Sequence, residues 1–221
     1  MDLKIDSKTC IVFDLDDTLY YEIDYLKSAF RFISEELFYE NKDVIFEEMF
    51  TRYLNGSNVF EYLIATYPEK KLTLNDLLKL YREHFPTISL RTGAKKLLKK
   101  IIQKNAIIGL ITNGRSLTQR NKINALGIKD FLSDIVISEE FGSEKPSEKN
   151  YRYFMDKYSG YNYIYVGDNM EKDFISPKKM GWFCIGVQNG KSGIPKKSGI
   201  VITGEYLPHI IVRSLDAIKI I

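Results

Sequence analysis

Two aspartates follow the first apolar run of the chain, and their spacing suits nucleophilic and acid–base chemistry. Asp14 and Asp16 lie in the segment 14–18 (Asp-Leu-Asp-Asp-Thr), directly after the apolar residues 11–13. On an extended chain, side chains two residues apart point the same way and lie about 6.5–7 Å apart, so both carboxylates can face one pocket. Paired carboxylates can divide the roles of nucleophile and general acid/base. An acidic turn after a strand is the alternative, because aspartates are common in turns.

A second and a third polar segment follow later apolar runs. Thr112, Asn113 and Gly114 come directly after the run 107–111, and a hydroxyl with turn amides at that place could hold phosphate oxygens. Lys145 comes next and is followed by a proline. An ammonium held in place there could neutralise both a carboxylate and a phosphoryl oxygen. Taken singly, a plain Asn-Gly turn and a solvated surface lysine would explain these two segments.

The fourth segment is acidic and follows the apolar run 163–166. Asp168 and Asp173 lie within residues 167–173, where carboxylates could hold Mg²⁺ together with phosphate oxygens and water. A helix-capping acidic turn would account for this segment alone. Four strand ends nevertheless carry Asp, Thr, Lys and Asp in that order, and open α/β sheets place their sites at such ends. The set supplies a nucleophile, phosphate donors, a cation and metal ligands.

The elements that must position these residues are visible as apolar patterns. Short runs rich in β-branched residues predict strands buried on both faces, at residues 11–13, 107–111, 135–137, 163–166, 183–187 and 200–202. Helical patterns lie between them, at residues 97–102, 116–126, 147–158 and 171–180. The alternation of strands with helices predicts an α/β fold with a doubly wound, Rossmann-like parallel sheet.

Residues 20–86 break this alternation, since they contain no strand-like run. Apolar residues recur there at helical spacing, and Thr73 with Asp76 forms a start signal for a helix that ends at Pro86. This stretch is predicted to be a small all-helical cap inserted after the first strand. The predicted domains are therefore an α/β core of residues 1–19 and 87–221 and a helical cap of residues 20–86.

Composition and charge limit the class of protein and its partners. The chain has 221 residues with 44% hydrophobic content, enough for one sizeable core or a core with a small second domain. Its formal net charge of +3 is too mild to argue for a nucleic-acid or membrane partner. No pattern of a signal peptide or membrane span is found, and Cys10 and Cys184 flank apolar runs as buried thiols do. We therefore expect a cytoplasmic protein, and the sequence carries no signal for its oligomeric state.

Taken together, the four segments resemble the four ordered motifs of the haloacid dehalogenase-like (HAD) phosphatases. The likeness is carried by residues 13–18, 112–114, 145–146 and 167–173. It extends between the motifs, where Gln119, Lys122, Leu126 and Gly127 are similar to the capped hydrolase branch of that family. The resemblance covers essentially the whole core, whereas residues 20–86 are similar to the family's caps only in position and helical character.

The resemblance implies a Mg²⁺-dependent phosphatase that works through an aspartyl-phosphate intermediate. Asp14 would attack phosphorus, and Asp16 would protonate the leaving oxygen and then activate water. Mg²⁺ would be held by Asp14, the backbone carbonyl of Asp16 and Asp168, with Asp173 lying behind them or pairing with Lys145. The phosphoryl group would be held by Lys145 and by Thr112, Asn113 and Gly114. The implied substrate is a small phosphorylated metabolite, with a sugar phosphate, a nucleoside monophosphate and phosphoglycolate all open.

Other activities remain open at this point to different degrees. Asp16 argues against a dehalogenase, since a halide needs no proton on leaving, and no cap lysine is marked as a phosphonatase would require. A sugar phosphomutase uses the same residues but returns the phosphoryl group to its substrate. A non-catalytic phospho-acceptor or binding module would be a protein of another class. Beside the motifs, Tyr20, Tyr21, Glu22 and Arg115 could touch substrate, although packing is favoured for the tyrosines.

Overall fold

The computed structural model describes residues 1–188 and 203–221. Its strands are Asp2–Leu3 (β1), Thr9–Phe13 (β2), Ile107–Thr112 (β3), Asp134–Ile137 (β4), Asn162–Gly167 (β5), Phe183–Val187 (β6), Ile210–Val212 (β7) and Lys219–Ile220 (β8). Its α-helices are Glu22–Leu37 (α1), Lys42–Leu54 (α2), Val59–Thr66 (α3), Leu74–Glu83 (α4), Ala94–Gln103 (α5), Ser116–Ala125 (α6), Ser138–Phe141 (α7), Glu148–Lys157 (α8) and Ile175–Lys179 (α9). The α/β class predicted from the alternating patterns is confirmed.

The main sheet is parallel throughout and has the strand order β4-β3-β2-β5-β6-β7. A separate parallel pair joins β1 to β8 near the two chain ends. The chain builds outwards from β2 through β3 to β4, then crosses back to β5 on the other side of β2. The strand order therefore reverses at β2, which lies between β3 and β5. Ligands of open α/β sheets bind at the carboxyl ends of strands at such a point.

Alternating side chains of the central strand enter two different cores. Ile11 and Phe13 pack with apolar residues of α5 on one face of the sheet, whereas Cys10 and Val12 pack on the other face with aromatic residues such as Tyr151. All five residues of β2 are buried. Burial on both faces is what the continuous apolar runs predicted, because a strand covered by helices on both sides needs no polar alternation. Cys10 and Cys184 are both buried free thiols, as expected.

One predicted helix is shorter than expected, one observed strand was not predicted, and one predicted strand falls outside the described residues. The predicted helix at 171–180 is helical only over Ile175–Lys179, because the residues before it form a loop around the carboxylate of Asp173. The edge strand Ile210–Val212 was not predicted, since two of its three residues are exposed and the run is short. The predicted strand at 200–202 lies outside the described residues.

Helices α1 to α4 occupy the stretch without strands and share an apolar core of their own. That core is built from residues such as Phe30, Ile33, Met49 and Leu77. The helix start signal at Thr73 is present as a reciprocal capping box with Asp76. The structure thus contains the helices expected of a cap, while the boundaries 20–86 stay a prediction. Within the described ranges, every helix is too short or too polar to cross a membrane.

Candidate active site

The carboxyl ends of three neighbouring strands bring the polar segments of the sequence to one edge of the sheet. Asp14 directly follows β2, Thr112 ends β3, and Asp168 directly follows β5. The pairing of β2 with β5 continues up to this edge, because the backbone N–H of Asp14 donates to the carbonyl of Val166 at 2.9 Å. Lys145 reaches the same place from the loop that follows β4 and α7.

Lys145 joins two aspartates beneath the site, in a group that we call the Lys145 cluster (Asp14, Lys145, Tyr165, Asp173). The Lys145 Nζ lies 2.5 Å from Asp14 Oδ1, 2.7 Å from Asp173 Oδ1 and 3.1 Å from the Tyr165 hydroxyl oxygen. All four side chains are buried. Burial alone lowers the pKa of a lysine, but the carboxylates of Asp14 and Asp173 outweigh it and raise the pKa of Lys145. This ammonium is therefore charged at neutral pH.

Asp173 shapes the loop that carries Asp168. Its Oδ2 accepts the backbone N–H groups of Asp168 at 3.1 Å and of Asn169 at 2.8 Å, while its Oδ1 accepts from Lys145. A glycine is needed at position 167, because a Cβ there would lie 2.5 Å from Asp173 Oδ2. The ion pair between Asp173 and Lys145 and this backbone cradle together fix the position of Asp168.

The acidic residues of the site form a group suited to a hard divalent cation. One carboxylate oxygen each of Asp14, Asp168 and Asp173 lies within 4.8 Å of the others. Burial, with further contributions from Asp173, Asp168 and Asp16, raises the pKa of Asp14 well above its usual range, although Lys145 opposes that shift. Carboxylate oxygens are preferred ligands of Mg²⁺, which would offset their mutual repulsion. The donor set therefore fits the expected metal.

Asp16 belongs to a second group, which we call the Lys122 cluster (Asp16, Tyr20, Gln119, Lys122). Its Oδ1 accepts from Lys122 Nζ at 2.7 Å and from the Tyr20 hydroxyl, and its Oδ2 accepts from Gln119 Nε2 at 2.8 Å. Burial raises the pKa of Asp16, but the charge of Lys122 and the hydrogen bonds from all three partners together lower it below the usual value. Asp14 and Asp16 thus sit in environments that push their pKa values in opposite directions.

The turn after β3 links these two clusters. Thr112 is buried, and its Oγ1 accepts a hydrogen bond from Gln119 Nε2. The Asn113 side chain holds the loop of Lys145, donating to its carbonyl at 3.2 Å and accepting from its N–H at 2.9 Å. The Gly114 N–H donates to Ser138 Oγ at 2.9 Å. Asn113 therefore has an observed contact that positions Lys145, and its predicted role in holding phosphate stays a prediction.

Arg91 had no predicted role at the site, whereas Tyr20 and Arg115 were named only as residues that could touch substrate. Arg91 is buried where the two connections between core and helices meet, and its guanidinium donates to the carbonyls of Asp17 at 2.5 Å and Gln188 at 2.9 Å. Tyr20 is fully buried, as the preference for packing predicted, but its hydroxyl also donates to Asp16. Arg115 is exposed and lies 3.6 Å from Glu139. Gln119 and Lys122 of the Lys122 cluster had a sequence signal outside the four motifs, namely their likeness to the capped hydrolase branch of the family.

Comparison with known proteins agrees with this geometry. Residues 11–187 match the family model described as haloacid dehalogenase-like hydrolase. The chain belongs to the haloacid dehalogenase-like hydrolase family. The family suggested by the four motifs is thus confirmed, and so is the expectation that the protein is an enzyme.

Relatives and solved structures extend this result over most of the chain. The chain is 28% identical over 199 residues to a glyceraldehyde 3-phosphate phosphatase of Methanocaldococcus jannaschii, covering 82% of this chain and 85% of that protein. Its fold is similar to a HAD-hydrolase of Bacillus subtilis bound to magnesium, with a TM-score of 0.63, 20% identity and coverage of 95% and 96%. It is also similar to a HAD phosphatase of Thermococcus onnurineus, with a TM-score of 0.57, 17% identity and coverage of 94% of both chains. The enzyme class of this haloacid dehalogenase-like hydrolase is therefore phosphatase.

Proposed function

We propose that this phosphatase hydrolyses a small phosphate monoester with the help of Mg²⁺, through a covalent phosphoryl intermediate on Asp14. The observation that carries the proposal is the position of Asp14. Its buried carboxylate lies at the reversal point of the sheet, with Lys145 on one oxygen and Asp168 and Asp173 within metal-sharing distance. A carboxylate so placed is held still and has its charge offset on several sides, as a nucleophile towards a phosphate dianion must.

The reaction would proceed in two displacements. In the first, an oxygen of Asp14 forms a bond to phosphorus while the bond from phosphorus to the ester oxygen breaks, and Asp16 gives its proton to that oxygen. In the second, Asp16 takes a proton from water as the water oxygen bonds to phosphorus, and the bond to Asp14 breaks to release inorganic phosphate. One carboxyl group can serve both steps because the second is the chemical reverse of the first in its proton transfer.

The two aspartates lie in different surroundings. The directions of their pKa shifts oppose these roles, so a bound Mg²⁺ would have to favour the ionised form of Asp14 and a bound phosphate dianion the protonated form of Asp16. The Asp14 side chain is 8% exposed and is held by Lys145, whereas the Asp16 side chain is 21% exposed and is held by Lys122. Mg²⁺ would be held by Asp14, Asp168 and the backbone carbonyl of Asp16, and when bound it supplies positive charge against the phosphoryl oxygens. Lys145 and Thr112 would contribute further charge and hydrogen-bonding capacity towards the same oxygens.

The proposed substrate class is drawn from the sequence relatives. The sequence relative named above is a glyceraldehyde 3-phosphate phosphatase, and that sequence likeness spans most of both chains. A small phosphorylated metabolite is therefore the proposed substrate. Its leaving group would face the Lys122 cluster and the first helix, Glu22–Leu37.

The test is phosphate release from p-nitrophenyl phosphate and from a panel of triose, sugar, nucleoside and glycolate phosphates. The panel would be run with Mg²⁺, with EDTA, and with the variant Asp14→Asn. Asp156→Asn serves as the matched control, because Asp156 is exposed on α8 away from the strand ends. We expect turnover that requires both Mg²⁺ and Asp14 and that survives the control substitution. Full activity of Asp14→Asn would contradict the proposal.

The same panel separates a phosphatase from a phosphomutase. Sugar phosphates would be followed by phosphorus NMR, which resolves inorganic phosphate from a positional isomer. A phosphatase accumulates inorganic phosphate, whereas a mutase converts one sugar phosphate into another without releasing it. Isomer formation without phosphate release would move the assignment to the mutase.

A further inference from the structure

Lys122 is a buried lysine that no catalytic step uses. It contacts both the core and the helices α1 to α4, which we call the helical segment. Lys122 is 5% exposed, and its Nζ forms an ion pair with Asp16 Oδ1 at 2.7 Å. The same Nζ lies 4.4 Å from the ring centroid of Tyr25, which belongs to α1. The Tyr25 hydroxyl in turn donates to the carbonyl of Tyr81 in α4 at 2.7 Å. One ammonium group thus contacts the proposed general acid and an aromatic ring of the helical segment.

Both carboxyl oxygens of Asp16 accept hydrogen bonds in this arrangement. Lys122 and Tyr20 donate to Oδ1, and Gln119 donates to Oδ2. Three donors around one carboxyl group select a single orientation of that group. Lys122 is the strongest of them, because a charged donor forms a stronger hydrogen bond than a neutral one and the Lys122 side chain is buried. Its helix is fixed against the helical segment as well, since Thr118 Oγ1 donates to the carbonyl of Arg82 at 2.9 Å.

We propose that Lys122 is a positioning residue for the protonation of the leaving group, which fixes the orientation of the Asp16 carboxyl group and links it, through Tyr25, to the helical segment. This inference rests on the proposed function, in which Asp16 is the general acid. Lys122 itself would not touch the reacting atoms. It would act by placing the carboxyl oxygen of Asp16 where the ester oxygen develops negative charge, and small misplacements of such a group are costly.

The inference makes the effect of a Lys122 substitution depend on the leaving group. When the bond between phosphorus and the ester oxygen breaks, a strongly basic leaving oxygen needs a proton from Asp16. A p-nitrophenolate ion is weakly basic and departs without one. Misplacing Asp16 should therefore slow the cleavage of a poor leaving group far more than that of a good one. A purely structural role of Lys122 would lower both rates by the same factor.

The experiment compares two substrates of nearly equal shape, phenyl phosphate and p-nitrophenyl phosphate. We would measure kcat/KM for each with Mg²⁺, because this constant reports only the steps up to phosphoryl transfer to Asp14. For Lys122→Met we expect a loss of roughly 30- to 100-fold with phenyl phosphate and less than about fivefold with p-nitrophenyl phosphate. The larger loss lies at or below the lower end of what a general acid contributes, because Asp16 is displaced and not removed. Lys122→Arg, which keeps the charge, should restore most of the phenyl phosphate activity. Equal losses on both substrates would overturn the inference.

A second readout uses the later step. Hydrolysis of the intermediate on Asp14 also needs Asp16, so Lys122→Met should show a rapid burst of p-nitrophenol before a slower steady state. Arg120→Met is the matched control, because this substitution also removes a cation from α6. Arg120 itself is exposed and pairs with Glu140. If Lys122→Met does not fold, Lys122→Gln is measured in its place and the same ratio of losses is required.

The failure of this inference is distinguishable from the failure of the proposed function. If the unaltered protein releases no phosphate, or if Asp14→Asn is fully active, the proposed function itself is wrong and the inference falls with it. If the unaltered protein is active and Asp14→Asn is inactive, the proposed function stands. The ratio of losses caused by Lys122→Met then decides the role of Lys122 alone.

Discussion

Two buried lysines flank the pair of aspartates, and they connect it to different parts of the molecule. In the Lys145 cluster the cation lies between Asp14 and Asp173, so all of its charged partners belong to the core. In the Lys122 cluster the cation lies between Asp16 and the ring of Tyr25, which belongs to the first helix. The proposed nucleophile is thus tied to the sheet, whereas the proposed acid is tied to both the core and the helical segment.

The difference between the clusters gives the two aspartates different structural constraints. A nucleophile that must meet phosphorus at a fixed distance benefits from a position on neighbouring strands, which tolerate little movement. An acid that serves leaving groups of different shape benefits from contact with the part of the protein that encloses the leaving group. The predictions below test whether the two clusters differ in this way.

The largest effect is expected from removing the cation of the Lys145 cluster. In Lys145→Met, Asp14 and Asp173 would face each other without the ammonium, and breaking a buried pair costs about 3–5 kcal/mol of stability. We expect phosphate release to fall roughly 100- to 1000-fold, since a charge that stabilises the transition state is lost. Denaturant unfolding and steady-state assays measure the two effects. Adding Asp173→Asn to this variant should recover part of the stability, and a double variant no more stable than Lys145→Met would contradict the account.

The next effect concerns the carboxylate behind the metal ligands. Asp173→Asn removes a charge from Lys145 and leaves only one oxygen to accept the N–H groups of Asp168 and Asn169. We expect the Mg²⁺ concentration for half-maximal activity to rise roughly 10- to 100-fold, as found when groups that orient metal ligands are changed. A Mg²⁺ titration of activity measures it, with Asp156→Asn as control. An unchanged Mg²⁺ requirement would show that Asp173 does not orient Asp168.

A smaller effect is expected from a neutral donor of the Lys122 cluster. Tyr20→Phe removes one hydrogen bond to Asp16 and keeps the buried ring. A hydrogen bond to a charged group contributes about 1.5–3 kcal/mol, and Lys122 and Gln119 would still hold Asp16, so we expect a loss of roughly fivefold with phenyl phosphate. The measurement is the ratio of kcat/KM values for phenyl and p-nitrophenyl phosphate. A loss larger than that of Lys122→Met would reverse the proposed ranking of the donors.

The smallest effect on activity is expected from a helix cap that belongs to neither cluster. Thr73→Ala removes the capping box of α4, in which Thr73 Oγ1 accepts from the Asp76 N–H at 3.2 Å. Loss of such a cap costs about 0.5–2 kcal/mol of stability. We expect a lower melting temperature with kcat/KM unchanged for both phenyl phosphates. A selective loss on phenyl phosphate would instead show that the start of α4 influences the orientation of Asp16.

The parts of the site that were predictable from sequence share one property, which is their place in the chain. Asp14, Thr112 and Asp168 stand directly at the ends of apolar runs, and parallel strands bring such ends to a common edge. The order of these segments also carried the likeness to the family. By contrast, the loop character of residues 171–174 was missed, because the helical pattern there cannot reveal that Asp173 turns inwards to accept two backbone N–H groups.

The sequence by itself determined the fold class, the inserted helices and the residues of the strand ends, because each depends on local periodicity or on segments read in order. Only the tertiary structure decided the partners of those residues. The ion pair of Lys122 with Asp16 joins positions 106 residues apart, and that of Lys145 with Asp14 joins positions 131 apart. The ordered motifs had singled out Lys145 as the cation of the site, but the pairing of Lys122 with Asp16 depends on how the sheet and helices pack, and no local pattern contains that information.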